Sequence, residues 1–219
     1  MKFEIFEKDL SEEYLQFFLN SELIAVDIET TGLNLHRDQI CLVQISDGER
    51  HHAVLKIDFQ WVPDNLSKLL SSENTKKVFH HAIFDCSMIQ ADLGIVVKEI
   101  ACTKVMSKVV RTYTDQHKLA DLSAELIEIN LDKTIRESCW FRELSIKQCR
   151  YAVDDVIRLI DIYKELDSLI EARGNLRSGY SCRDINHHAQ EAMSNMIPLL
   201  VSGYGSPDNN WDLGWIFKY

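Results

Sequence analysis

The chain has 219 residues, of which 46% are hydrophobic and 26% charged, a balance that suits one folded domain and excludes disorder as the main state. Its 24 basic residues against 34 acidic ones leave a net charge of −10. That argues against holding long nucleic acid through many Lys and Arg contacts, but not against a small phosphate-bearing substrate held through cations. No apolar run approaches the ~20 residues of a membrane span, so no membrane is expected as a partner. The acid-studded start is not a secretory signal, and six single cysteines without a CxxC suit reduced thiols in a cytoplasm.

Residues 22–29, ELIAVDIE, read as a buried strand that ends in acids, followed by a turn at Thr30-Thr31-Gly32. A second strand over 39–46 and a third over 50–57 flank the hairpin signal Asp47-Gly48. Helical spacing runs from Trp61 to Leu70, with Pro63 and Asp64 suited to a first turn. Lys76 to His80 is a short strand, and Ile83 to Leu93 a helix closed by Gly94. Residues 100–110 and 119–129 read as helices, and 130–144 as less regular chain. Ser145 caps a long helix to about Ala172, and after Gly174 another runs over about 182–195 before Pro198, Gly203, Gly205 and Pro207 break the chain. Strands joined by hairpin turns, then mixed with helices, favour an α/β fold with a mixed sheet flanked by helices.

The chemistry-bearing residues are carboxylates. Asp27 and Glu29 are two apart on a strand, so both face one side, at the strand end where open α/β sheets place ligands. Two like charges so close call for an offset, and hard oxygen ligands suit Mg²⁺ or Mn²⁺. Asp85 opens a helix just after a strand, where the helix dipole alone would favour an acid. Tyr151 and Asp155 are four apart in a strongly helical segment and share a face, but Asp154 competes on spacing. Val156, Leu159, Ile160 and Tyr163 form that helix's core stripe. Four carboxylates from three segments and one candidate base match the needs of two divalent ions.

The segments VDIETTGL, FHHAIFD and YAVDDV, in this order, resemble the three motifs of the DEDD 3′–5′ exonucleases. The Tyr-x-x-x-Asp form of the third resembles the ribonuclease D-like (DEDDy) branch and selects Asp155 over Asp154. LHRDQICLVQIS, ACTKVMSKVVRTYTDQH and a late Gly-Trp are similar to the nanoRNase C oligoribonucleases of that branch. The resemblance implies a ribonuclease H-like single exonuclease domain over 1–172, with 173–219 a C-terminal helix and apolar tail packed on the domain or on a neighbouring subunit. It implies a 3′–5′ exoribonuclease that cuts short RNA, dinucleotides especially, to nucleoside 5′-monophosphates. The alternatives are a general exonuclease on single-stranded DNA or longer RNA, and an inactive nucleotide-binding scaffold. Two divalent cations, Mg²⁺ or Mn²⁺, are implied on Asp27, Glu29, Asp85 and Asp155, with Tyr151 orienting and deprotonating the attacking water. The chain departs from the family pattern at Ile83, where relatives carry a basic residue, and at Cys139, where they carry Asp.

Around these, Thr30, Leu33, His80, Arg111, Tyr113 and Thr114 are candidate substrate contacts. Leu33 follows the turn beside Glu29, where related exonucleases place a residue that wedges between the last two bases. His80, five before Asp85, suits a hydrogen bond to phosphate or sugar. The polar cluster RTYTDQH offers Arg and hydroxyl groups that suit a 5′-phosphate. His51-His52 and His187-His188 lack zinc-site spacing and read as surface or interface pairs. The apolar tail at Trp211, Leu213, Trp215, Ile216 and Phe217 is costly to expose. With the resemblance, it favours a homo-oligomer, an octameric ring in these relatives.

Overall fold

The computed structural model describes residues 2–131, 140, 145–175 and 179–203. The elements in chain order are β1 (Glu4–Glu7), α1 (Glu12–Leu19), β2 (Leu23–Thr30), β3 (Ile40–Ser46), β4 (His52–Lys56), α2 (Asp64–Ser71) and β5 (Lys76–Phe79). They continue with α3 (Ala82–Leu93), β6 (Ile100–Cys102), α4 (Thr103–Val110), α5 (Leu119–Leu126), α6 (Ile146–Arg173) and α7 (Cys182–Val201). The strands form one mixed sheet in the order β1-β4-β3-β2-β5-β6. Strand β3 runs antiparallel to both its neighbours, and every other pairing is parallel. This is the expected α/β architecture, a mixed sheet flanked by helices.

Side-chain alternation divides the sheet into two buried faces. Ile24, Val26 and Ile28 of β2 pack with α2, α3 and the end of α7 in the largest core cluster. Ala25, with Val78 and Ala101 on the next strands, packs under Val156, Leu159 and Ile160 of α6. Leu42 and Val54 continue that second face under Ala152, Val153 and Ile157. The long helix α6 is therefore the lid of the face that carries Asp27 and Glu29. Its start is set by a reciprocal cap. Ser145 Oγ accepts from the Gln148 N–H at 3.2 Å and Gln148 Oε1 accepts from the Ser145 N–H at 3.0 Å.

Three expectations need correction. The segment 100–110 opens as strand β6, not as helix. Its backbone is recruited by a tertiary partner, because β6 pairs with β5 and the Gln190 side chain bonds both the N–H and the C=O of Cys102. The helix expected to stop near 195 continues through Pro198 to Val201. Met193 and Ile197 are buried in the main core, and that burial outweighs the one backbone donor that proline removes. The pair His51-His52 is not a surface feature. His52 is buried on Ser46 at 2.9 Å, and His51 stacks on Phe17 and contacts Asp47 at 2.6 Å.

The first 19 residues, unassigned from the sequence, supply an edge strand and the Ser11-capped helix α1. Gly94 closes α3 in the left-handed region, as expected. Cys86, Cys102, Cys149 and Cys182 are free thiols and buried, and Cys41 is buried as well. Among the described residues no helix is long and apolar enough to cross a membrane. Cys139 and the aromatic tail lie outside the described residues.

Candidate active site

Strand β2 delivers the first two acids. Asp27 pairs in register with Gln44, and Glu29 with Leu42, so both acids project toward α6. The register shifts just beyond Glu29, which ends the regular pairing at the site's edge. Asp85 arrives from the first turn of α3, at the carboxyl end of the parallel neighbour β5. It is 5% exposed. Burial, and then the negative charge of Asp27, push its carboxyl well above the ordinary carboxylate range. The two acids thus share one electrostatic environment that favours either a proton or a cation.

The last two residues come from α6. Ala152, Val153, Val156, Leu159 and Ile160 form its buried stripe. At about 100° per residue, Asp155 sits one step from Val156 on the edge of that stripe, on the same side as Tyr151. Asp154 lies a further step round, nearly opposite the stripe. Tyr151 packs against the cluster that contains Leu42, the cross-strand partner of Glu29. Its ring lies 6.4 Å from that of buried Trp140. Trp140 was not legible as a neighbour of the site, because nothing in the local pattern links it to α6. Among the described residues, no group of three or more His, Cys, Asp or Glu side chains is already closed up enough to hold a metal ion. Asp27 and Asp85 repel each other, and that repulsion is the feature that fits a cation.

The loop between β2 and β3 is built to a fixed shape. Thr30 Oγ1 donates to the Gly32 carbonyl at 2.5 Å, and Asp38 accepts from the Asn34 N–H at 2.9 Å and from Arg37 at 2.8 and 2.9 Å. The Arg37 guanidinium, with the Asn34 N–H, holds the Asp38 carboxyl down at about 2. A Cβ at Gly32 would collide with that carboxylate, so the loop requires glycine there for space. At its tip Leu33 is 80% exposed. That exposure leaves its side chain available to a ligand. His80 is half-buried and its Nδ1 lies 3.0 Å from Thr103 Oγ1. Ile83 is half-buried and packs on the main core, so this departure from the family pattern has a packing role.

The cluster RTYTDQH has a different arrangement from the one expected. Arg111 is fully buried. Its guanidinium donates to Glu125, to Ser107 Oγ at 2.9 Å and to the Gln116 carbonyl at 2.7 Å. Glu125 also accepts from the Tyr113 hydroxyl, and both donors lower its carboxyl. Arg111 therefore ties the α4–α5 connection together rather than standing ready for a phosphate. The intervening Thr114 accepts from the Gln116 N–H at 3.1 Å, while Tyr113 keeps 71% of its surface exposed. Sequence reasoning missed Gln44, a lone polar side chain in the apolar run Ile40–Ile45; its placement opposite Asp27 needs the strand register.

Comparison with known proteins gives this geometry a family. The sequence profile described as 3′–5′ exonuclease matches residues 3–171. The exosome complex exonuclease RRP6 of Saccharomyces cerevisiae is 30% identical over 176 residues, which are 80% of this chain and 24% of that protein. The chain thus spans about a quarter of the length of that relative. Several solved structures match over the whole chain, two of which show the likeness. Brucella melitensis NrnC with bound Mg²⁺ is 30% identical at a TM-score of 0.80, covering 100% of both chains. Brucella melitensis NrnC bound to pGG is 31% identical at 0.81, covering 100% of this chain and 99% of that one. The chain belongs to the 3′–5′ exonuclease family, as a ribonuclease D- and NrnC-like member of it.

Proposed function

We propose that this protein is a metal-dependent 3′–5′ exoribonuclease that hydrolyses very short RNA, dinucleotides above all, to nucleoside 5′-monophosphates. The observation that carries the reading is the end-to-end likeness to the NrnC bound to pGG. The acid-lined edge of the sheet supports it from this chain's own residues. Asp27, Glu29, Asp85 and Asp155 would hold two divalent cations, Mg²⁺ or Mn²⁺, which would offset charge on the scissile phosphodiester and acidify the attacking water. Tyr151, on the Asp155 side of α6, orients that water and takes its proton. Leu33 stands beside Glu29 and wedges between the last two bases, and Thr30 shapes the turn that presents it. His80 contacts phosphate or sugar. Tyr113 and Thr114 lie on an exposed connection suited to the far end of a short substrate. We extend the reading to a homo-oligomer, an octameric ring, working in the cytoplasm. Light scattering that gave a monomer at micromolar concentration would remove the ring.

The deciding test is a time course with Mg²⁺ or Mn²⁺ on 5′-labelled RNA of two, three, five, seven and about twenty nucleotides, with matched DNA. Asp27→Ala serves as the blank. We expect the dinucleotide to turn over fastest and EDTA to abolish turnover. Equal or faster trimming of long RNA or DNA would make this a general exonuclease. No metal-dependent turnover would leave a nucleotide-binding scaffold.

A further inference from the structure

Gln44 lies in the middle of β3 and is fully buried, yet neither its amide nitrogen nor its amide oxygen has a hydrogen-bond partner. No other buried side chain among the described residues shares that condition. Lys77 donates to the Ser72 and Thr75 carbonyls, His52 is held by Ser46, and Arg111 is spent on Glu125, Ser107 and Gln116. An unpaired buried amide is costly, and a similar-sized apolar side chain at the same place would avoid the cost. The apolar surroundings, Val54 beside it in register and Val153 and Ile157 of α6 in the cluster above, offer no use for an amide.

The one polar neighbour in register is Asp27, directly opposite on β2. Side chains at such positions project from the same face with Cβ atoms about 5 Å apart, within reach of a glutamine amide. We propose that Gln44 is a positioning residue of the cation site: its amide N–H serves Asp27 and fixes that carboxylate in the rotamer that binds a divalent cation. The inference rests on reading Asp27 as a cation ligand. Groups that orient the ligands of a metal commonly set its affinity without touching it. On this account the fold bears an unpaired amide so that an aspartate is correctly aimed once a cation is bound.

The test is a Mn²⁺ titration of the full chain followed by the EPR signal of free Mn²⁺, for wild type, Gln44→Met and Gln44→Leu. The melting temperature of each cation-free protein is measured alongside. Both variants keep the volume and remove the amide. We expect Mn²⁺ affinity to fall about tenfold or more, with the cation-free melting temperature unchanged or higher. Affinity within about twofold of wild type would overturn the inference, since a positioning group must move it. So would a joint loss of affinity and cation-free stability, because Gln44 would then hold the fold and not the ligand. If wild type itself bound no Mn²⁺, the reading of the acids would fail and this inference with it. Wild-type binding with unaffected variants would sink the inference alone.

Discussion

Asp27 and Glu29 were recognisable from their two-residue spacing, because a strand's alternation decides that both face one way. Asp85 was not recognisable by spacing, since an acid in a first helical turn has a sufficient local reason to be there, and only the resemblance of FHHAIFD singled it out. Only its burial beside Asp27 gives it chemistry. Tyr151 is a sharper case. Its ring packs by Trp140 and on the cluster around Leu42, whereas its hydroxyl is the group assigned to the water. Tyr151→Phe keeps the ring and removes the hydroxyl. It is expected to leave Mn²⁺ binding and the melting temperature unchanged while lowering dinucleotide turnover by about 100-fold or more. Near-normal turnover in saturating Mn²⁺ would remove the base assignment.

Among the elements, the β2–β3 loop shows how backbone chemistry prepares a ligand contact. Asp38, held by Arg37 and Asn34, fills the space above Gly32, and the apolar tip is left outside. A large apolar side chain at 80% exposure contributes little to the fold. Leu33→Ala is therefore expected to leave the melting temperature within about 1 °C. It should weaken kcat/KM on a dinucleotide by about tenfold, the loss of one stacking-type contact. Unaltered kcat/KM in steady-state assays would return Leu33 to an incidental surface residue. The same scale shows where local reading stops. Residues 100–102 read as helix because they precede one, and become strand because β5 and Gln190 supply partners from 23 and 88 residues away.

Among the described residues one lysine amine is buried, that of Lys77, between the end of α2 and β5. Burial lowers its pKa from 10.5 to about 8, with the charge of Glu99 opposing. From about pH 8 to 10.5 the unfolded chain keeps the proton that the folded one has lost, so Lys77 makes stability rise with pH across that window. Cys86 and Cys102, pushed up by burial, act in the other direction, so the effect is read as a difference. Relative to Lys77→Met, wild type is expected to gain about 1–3 kcal/mol of unfolding free energy between pH 7.5 and 10.5 in denaturant titrations. A flat difference would mean that Lys77 titrates as in water.

The chain's own order of residues determined the central strands, the capped long helix and the paired acids Asp27 and Glu29 on one strand face. Each of those rests on period, cap or spacing, which are local properties. Tertiary structure alone decided that Asp85 is buried beside Asp27, that Arg111 is consumed inside its loop, and that Pro198 sits within a continuing helix. It also decided that an unpaired Gln44 lies opposite Asp27. Those outcomes depend on strand register and on which faces meet, and both are set by contacts between residues far apart in the chain.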